Sequence, residues 1–321
     1  MSYKVLIPSE ISEEGIVFLR ERGCEINRGT GTTPEAIRRD VVDCDAILAR
    51  PELYPAEVLE AAPRLKVIAR HGVGVDNIDV AAAERLGIWV TVAGTANFNT
   101  VAEVGLGFII ALGRQTGFFE RNAKSGNWAV RNKISGIDLE GKTLGLIGFG
   151  KIGRCLADKA RLGLGMNVLA YDPYVTQDQA AESATMTSDW DEVFRRADFV
   201  SLHLPYTGKK LVSARDFANM KPTAYFINLA RGEIVEEPDL IEALRRGQIA
   251  GAALDVFDKE PPDPKNPLLS MENVLVTPHN AGLTRECMSR LSLQAAQGIW
   301  DVLSGQVPQW PVNTPKQPAK T

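Results

Sequence analysis

Residues 141–160, GKTLGLIGFGKIGRCLADKA, decide the fold of this chain. The apolar first part predicts a strand that ends at Gly148, and the part that follows predicts a helix. Gly148, Gly150 and Gly153 form a G-x-G-x-x-G pattern between the two elements. At such a junction the glycines permit a tight turn, close approach of the backbone to a pyrophosphate, and close packing of helix on strand. The stretch therefore predicts a dinucleotide-binding turn with phosphates at the helix N-terminus.

The next predicted strand, NVLAYDP, ends in an acidic residue. Asp172 follows Gly153 by about 20 residues, the spacing expected for the carboxylate that binds the adenosine ribose hydroxyls. A carboxylate there repels a 2′-phosphate, and no arginine follows it directly, so NAD is favoured over NADP. The alternative is an Asp-Pro pair that merely begins a turn.

The order of the predicted elements indicates two α/β domains in 321 residues. Short apolar runs alternate with helical patterns, which is typical of parallel sheets covered on both faces. Six such runs follow one another from residue 142, as in the doubly wound dinucleotide-binding fold. We predict a flavodoxin-like domain from residues 1–98 and 285–321, with a doubly wound Rossmann domain, residues 99–284, inserted in it. A helix beginning near Arg285 would complete the first domain.

A polar segment separates a long predicted helix from the dinucleotide-binding motif. The helical pattern covers residues 100–124, and residues 125–142, SGNWAVRNKISGIDLEGK, show no periodicity. Irregular segments of this length in compact domains are usually functional or pack on another subunit. We therefore predict a homodimer formed through an arm of residues 118–141. The alternative is a flexible surface loop.

Composition excludes several classes of function. The net charge of −4 argues against a nucleic-acid or anionic-membrane surface. The N-terminus lacks the pattern of a signal peptide, and the most apolar tract, VGLGFIIALG, is too short to span a bilayer. The spacing of the four cysteines suits neither a zinc site nor a disulfide framework. We expect reduced thiols, no metal and a cytoplasmic location, with a small molecule as the partner.

Three further stretches place reactive side chains just after predicted strands. They are NLARGEIV with Arg231, ALDVFDKEPP with Asp255 and Glu260, and VLVTPHNAG with His279. The carboxyl ends of parallel strands meet at one sheet edge, where open α/β sheets bind ligands. Hydride transfer from a hydroxy acid needs a cation for the carboxylate, a base for the hydroxyl proton, and a carboxylate that orients the base. Taken alone, Glu260 is typical of a solvated turn residue and His279 of a loop residue with no catalytic role. Only their joint arrangement with Arg231 favours a catalytic role.

Together these stretches resemble the D-isomer-specific 2-hydroxyacid dehydrogenase family, most closely its short-type D-3-phosphoglycerate dehydrogenases. The resemblance covers nearly the whole chain, and its other pieces include RHGVGVDNIDVAAAERLGI, NTVAEVGLGFIIAL, LHLP and GAALDVF. It implies an NAD-dependent oxidoreductase that interconverts a small D-2-hydroxy acid and its 2-keto acid. The first domain would bind substrate and the second NAD. Arg231 would bind the carboxylate, His279 would be the base, and Glu260 would be its partner.

The resemblance also implies binding residues. The cofactor set is Gly148, Gly150, Lys151, Ile152, Gly153, Asp172, Leu204, Leu229, Ala230, Asp255 and Gly282. In it, Asp255 would accept a hydrogen bond from the nicotinamide carboxamide. The substrate set is Arg50, Val73, Gly74 and Arg131. The N–H groups of Val73 and Gly74 would form a nest for the substrate carboxylate, which glycines make accessible. His71 would then be structural, and His203 would pack under the cofactor.

Departures from the family pattern leave the substrate open. Pro51 follows Arg50 where Ser or Thr is common, Val104 replaces a common His, and Asn280 replaces an apolar residue. 3-Phosphoglycerate is one candidate, and reduction of hydroxypyruvate or glyoxylate is the alternative. Phosphite oxidation and formate oxidation fit less well. An alternative of another class is an NAD(H)-sensing scaffold like the corepressors that share this fold.

Overall fold

The computed structural model describes residues 2–316 of the chain. They divide into two compact units: one holds the residues up to Asn97 and those from Leu283 onward, and the other is Phe98–Gly282. The predicted first domain also includes residues 1 and 317–321, which lie outside the described part.

A five-stranded parallel sheet forms the centre of the first unit. Its strands are β1 (Lys4–Leu6), β2 (Glu25–Asn27), β3 (Ala46–Ala49), β4 (Val67–Arg70) and β5 (Trp89–Val92), and its helices include α1 (Glu13–Arg20), α2 (Pro34–Asp40), α3 (Ala56–Glu60) and α4 (Val80–Arg85). The strand order β2-β1-β3-β4-β5 is the flavodoxin-like order and confirms that prediction. The polar edge strand β2 was not predicted, because its three residues, EIN, carry no apolar run.

A seven-stranded parallel sheet forms the centre of the second unit. Its strands are β6 (Thr143–Ile147), β7 (Asn167–Tyr171), β8 (Thr185–Met186), β9 (Phe199–Leu202), β10 (Tyr225–Asn228), β11 (Gly251–Leu254) and β12 (Val274–Val276). The order β12-β11-β10-β9-β6-β7-β8 is the doubly wound order with one further strand, which confirms the predicted fold class. The prediction of six strands missed β8, whose two residues are too few for a periodic signal. Strand order reverses between β6 and β9, the place where such sheets bind ligands.

The helix predicted over residues 100–124 is in fact two helices. They are α5 (Phe98–Gly113) and α6 (Thr116–Lys124), and Gln115 between them is left-handed, with φ 51°. The Gly113 carbonyl accepts the N–H of Ile137 at 2.8 Å, so a bond from the following segment replaces the next helical turn. Within residues 125–142 the regular element is a short 3-10 helix, Trp128–Asn132.

The remaining helices complete the two units. In the second unit they are α7 (Lys151–Leu164), α8 (Gln177–Ala180), α9 (Trp190–Arg196), α10 (Ala214–Asn219) and α11 (Glu237–Arg245). In the first unit α12 (Arg285–Leu303) begins at the predicted residue. It packs closely on α1, because a Cβ on Gly15 of α1 would lie 2.3 Å from the hydroxyl oxygen of Ser292 in α12. Among the described residues, none of these helices is both long and apolar enough to cross a membrane.

The segment after α12 covers the open edge of the first sheet. Asn313 is 7 % exposed; its amide oxygen accepts the N–H of Val90 at 2.7 Å, and its amide nitrogen donates to the carbonyl of Ile88 at 3.0 Å. Trp310 also accepts the N–H of Val92 at 3.1 Å. These bonds satisfy backbone groups that an edge strand would otherwise leave unpaired.

We expect Asn313→Ala to destabilise the protein by about 1–3 kcal/mol, because it leaves buried backbone groups at Ile88 and Val90 without partners. Urea unfolding followed by fluorescence would measure the change. Gln309→Ala removes an exposed amide from the same segment and is the control. Equal stability of the two variants would contradict the edge-covering role.

Candidate active site

The glycine-rich turn after β6 lies directly against the segment that follows β9. Gly148 has φ 95°, and a Cβ there would lie 2.5 Å from the carbonyl oxygen of His203. A Cβ on Gly153 would lie 2.4 Å from the Gly148 carbonyl oxygen. Gly150 is the N-cap of α7, and no neighbouring atom lies within 4 Å of its Cβ position. The turn is thus closed on the protein side and open at the helix N-terminus, which fits a bound pyrophosphate.

The carboxylate of Asp172 is fixed beside this turn. It accepts the N–H of Phe149 at 2.8 Å on one oxygen and the N–H of Tyr174 at 2.9 Å on the other. Each oxygen retains acceptor capacity for a ribose hydroxyl. Sequence reasoning did not single out Arg154, whose guanidinium lies 4.8 Å from the centre of the Phe149 ring and donates to the Gln179 carbonyl. The residues present therefore fit an adenosine ribose as well as the phosphates.

The loops after β9 and β10 bring the other predicted cofactor residues to the same edge. His203 donates its N–H to the Ile147 carbonyl at 2.7 Å, and its Nε2 lies 2.9 Å from the Ser201 hydroxyl. Burial lowers the pKa of His203 to about 4, so its imidazole is neutral at physiological pH. Leu204 follows it, and the buried Leu229 and Ala230 follow β10. Of the other predicted cofactor residues, Lys151 and Ile152 are the first two residues of α7, and Gly282 is the last residue of the second unit.

Arg231 is positioned by the backbone around the end of β10. Its carbonyl accepts the Asn228 side-chain amide at 2.9 Å, and its guanidinium donates to the Ala230 carbonyl at 2.8 Å. A Cβ on the next residue, Gly232, would lie 1.9 Å from the carbonyl carbon of Phe257. This backbone contact brings the Arg231 loop against the loop that carries Glu260.

His279 and Glu260 form a hydrogen-bonded pair at the carboxyl ends of β11 and β12. His279 Nδ1 lies 2.6 Å from Glu260 Oε2, and Glu260 Oε1 accepts the Phe257 N–H at 3.1 Å. The two side chains are 50 % and 36 % exposed, so the pair is open to solvent on one side. This arrangement leaves the His279 ring to exchange a proton through its other nitrogen.

The pair sets the protonation of both partners. The hydrogen bond that His279 donates to Glu260 raises the pKa of His279. Partial burial and the Arg231 charge oppose this, and the charges of Glu260 and Asp255 add to it. For Glu260, burial would raise the pKa, but the hydrogen bonds from His279 and the Phe257 N–H, with the charges of His279 and Arg231, lower it overall. Arg231 acts on both groups, which places its charge near the pair.

Asp255 organises the loop that carries His279. The residue is 2 % exposed, and its carboxylate accepts the Thr277 hydroxyl at 2.6 Å and the N–H groups of Asn280 and Ala281 at 2.9 and 3.0 Å. The Asp255 carbonyl accepts the N–H of His279 at 2.8 Å, and His279 has φ 50°. Sequence reasoning missed Thr277 and this loop-holding role. The predicted contact of Asp255 with a nicotinamide stays a prediction.

An apolar cavity of about 370 Å³ adjoins the pair. Glu260, Thr277 and His279 lie at its polar edge. The rest of its wall is formed by apolar residues: Phe257, Pro261, Pro262, Leu269, Val276 and Pro278. These residues were not predicted, since prolines in a loop give no periodic signal. The apolar walls explain why burial acts on the carboxyl group of Glu260.

In the first unit, the predicted substrate residues Arg50, Val73 and Gly74 lie after neighbouring strands β3 and β4. Val73 is 45 % exposed and follows Gly72. The Arg50 guanidinium donates to the Glu10 carbonyl at 2.6 Å. Burial, with the Arg50 charge, lowers the pKa of His71 to about 4, which suits the predicted structural role.

Two further findings complete the site. Arg131, predicted to bind substrate, lies exposed in the 3-10 helix Trp128–Asn132 of the second unit. Within residues 2–316, no group of three or more His, Cys, Asp or Glu side chains could hold a metal ion.

The sequence and fold of the chain are similar to those of known proteins. The model of the D-isomer specific 2-hydroxyacid dehydrogenase NAD binding domain matches residues 106–281. D-3-phosphoglycerate dehydrogenase of Archaeoglobus fulgidus is 40 % identical over 97 % of this chain and 59 % of that protein. Glyoxylate reductase of Korarchaeum cryptofilum is 35 % identical over 98 % of this chain and 96 % of that protein. The crystal structure of a Thermus thermophilus protein matches with a TM-score of 0.88 and 33 % identity, covering 97 % of this chain and 100 % of that one.

The two parallel-sheet units and the glycine-rich turn define a two-domain dinucleotide-binding protein. The chain belongs to the D-isomer specific 2-hydroxyacid dehydrogenase family. It spans about three fifths of the length of the archaeal phosphoglycerate dehydrogenases that it matches.

We expect Glu260→Gln to lower the pKa of His279, because it replaces the charged partner of the imidazole with a neutral amide and so removes the charge that raises this pKa. NMR titration of the imidazole Cε1–H resonances would show this directly. The chain has three histidines, and burial keeps the pKa values of the other two near 4. Glu272→Gln, an exposed site in the same unit, is the control. An unchanged His279 titration in Glu260→Gln would exclude the pairing in solution.

Proposed function

We propose that the protein is an NAD-dependent oxidoreductase that interconverts a small D-2-hydroxy acid and its 2-keto acid. The observation that carries this proposal is the 2.6 Å pair of His279 and Glu260 with the Arg231 charge beside it. A base, its orienting carboxylate and a cation for a carboxylate are the groups that the reaction needs. Membership of the dehydrogenase family supports the same chemistry.

In the oxidation direction, neutral His279 takes the proton of the substrate hydroxyl while a hydride leaves the carbon that bears this hydroxyl. The acceptor for that hydride would be supplied by NAD when it is bound. Glu260 fixes the imidazole through Nδ1 and stabilises the imidazolium that forms. In reduction, protonated His279 returns the proton to the carbonyl oxygen. Arg231 would hold the substrate carboxylate and polarise the carbonyl.

The binding residues are proposed from the same geometry. The turn of Gly148, Gly150 and Gly153, with Lys151 and Ile152, would hold the pyrophosphate, and Asp172 the ribose. The backbones of Leu204, Leu229 and Ala230, which follow β9 and β10, would line the cofactor, as would Gly282. Asp255 would accept a hydrogen bond from the nicotinamide carboxamide. The exposed nest of Val73 and Gly74 would bind the substrate carboxylate.

The competing proposal is an NAD(H)-sensing scaffold. A sensor also needs the nucleotide turn and Asp172. At the edge of the same sheet, however, a hydrogen-bonded glutamate raises the pKa of His279. A sensor does not need such a histidine. The paired base therefore favours an enzyme.

We also propose a cytoplasmic homodimer formed through residues 118–141. Trp128 is 68 % and Ile134 36 % exposed in this arm, which gives a partner subunit apolar surface to cover. The cysteines at positions 24, 44, 155 and 287 are all free, which suits a reducing compartment.

Replacing the base tests the activity. His279→Ala should lower kcat by about 10²–10⁴-fold, the usual contribution of a positioned base. In the unmodified protein, hydroxy-acid oxidation should rise with pH as His279 loses its proton above its raised pKa, and keto-acid reduction should fall. The variant should lose both dependences while its affinity for NADH, measured by fluorescence, stays the same. Near-normal turnover would remove His279 from the mechanism.

Replacing the ribose carboxylate tests the cofactor. Asp172→Ala should reduce the preference for NAD over NADP, because the group that repels a 2′-phosphate is gone. Steady-state kinetics with both cofactors would give the ratio. Asp178→Ala removes an exposed carboxylate from α8 and is the control. A ratio equal to that of the control would place ribose recognition elsewhere.

A further inference from the structure

A fixed carboxylate lies beside Arg50 in the first unit. Glu52 accepts the backbone N–H of Arg50 at 3.0 Å and the Tyr54 hydroxyl at 2.9 Å on one oxygen. Its other oxygen accepts the hydroxyl of Ser9. Tyr54 is fully buried, so this partner is itself immobile. Glu52 is thus a charge held in place by three hydrogen bonds.

Asn77 joins the Glu52 loop to the loop after β4. Its side-chain amide donates to the carbonyls of Arg50 at 2.8 Å and Glu52 at 2.6 Å, and its own carbonyl accepts the Tyr54 N–H at 2.8 Å. Gly72, with φ 157°, opens the same loop and is followed by the proposed carboxylate nest. Since β3 and β4 are neighbouring parallel strands, Glu52 lies at the sheet edge that carries this nest.

The charges around this edge oppose each other. The Arg50 guanidinium donates to the Glu10 carbonyl, and its charge contributes to the low pKa of His71. The neutral His71 adds no positive charge. The carboxylate of Glu52 lies against the backbone of Arg50, one of the two arginines of the predicted substrate set. At the same edge the Arg70 guanidinium donates to the His71 carbonyl at 2.7 Å, on the Gly72 side. Leu53 beside it is 59 % exposed and offers only apolar surface.

We propose that Glu52 determines substrate specificity by excluding acids with an anionic tail and accepting a hydrogen bond from an uncharged hydroxyl tail. This inference rests on the proposed function. A dianionic phosphate beside a fixed carboxylate is repelled, which weakens binding of an acid that carries one. A terminal hydroxyl instead donates to the carboxylate. The substrate class is therefore short hydroxy acids such as D-glycerate, with hydroxypyruvate as the keto form.

D-Glycerate and 3-phosphoglycerate test the proposal, because they differ only in the phosphate. In Glu52→Gln, the ratio of kcat/KM for 3-phosphoglycerate to that for D-glycerate should rise by about tenfold or more, mainly through KM. Gln keeps an oxygen acceptor for the hydrogen bonds that hold the loop, and equal thermal unfolding would show an intact fold. Glu60→Gln, an exposed carboxylate of α3, should leave the ratio unchanged.

Calorimetry separates this inference from the proposed function. Binding of the two acids is measured in the presence of NADH, which cannot oxidise either acid. If neither acid is turned over but Glu52→Gln still gains affinity for 3-phosphoglycerate alone, the proposed reaction fails and the role of Glu52 stands. The role of Glu52 is overturned by an unchanged ratio in both measurements, by a wild-type preference for 3-phosphoglycerate, or by no binding of either acid to either protein.

Discussion

The buried carboxylate of Asp255 is the interaction on which the site in the second unit depends. Four hydrogen bonds join this residue to the loop after β12: the carboxylate holds Thr277, Asn280 and Ala281, and the carbonyl holds His279. The carboxylate of a residue that is 2 % exposed is stable only when its oxygens are satisfied. The loop conformation and the burial of Asp255 therefore require each other.

This constraint explains the position of His279. A non-glycine residue with φ near 50° is uncommon and needs surroundings that hold it. The N–H of His279 and those of the two residues after it bond to Asp255, so the backbone keeps that conformation and the side chain projects toward Glu260. Glu260 is placed separately, by its bond to the Phe257 N–H and by the close approach of Phe257 to Gly232. Two independent loops thus meet in one short hydrogen bond.

Sequence patterns predicted the parts of the molecule that repeat or that obey strict spacing. The alternating elements, the glycine turn before α7 and the start of α12 at Arg285 were of this kind. The break at Gln115 was missed because it depends on a bond from Ile137, which lies 22 residues away and leaves no local signal. The proposed role of Glu52 was missed for a similar reason: Ser9 and Asn77, which bond to it, come from distant segments that only the folded chain brings to Glu52.

The three histidines show how surroundings alone assign different chemistry to one side chain. Burial in the first unit lowers the pKa of His71, and burial beside Ser201 lowers that of His203, each to about 4. Both stay neutral over the range in which cells work. His279 is half exposed and its bond to Glu260 raises its pKa, so it alone among the three has a pKa above the ordinary histidine value. The change of imidazole charge is therefore confined to the sheet edge that also carries Arg231, where a proton can be exchanged with a bound hydroxyl group.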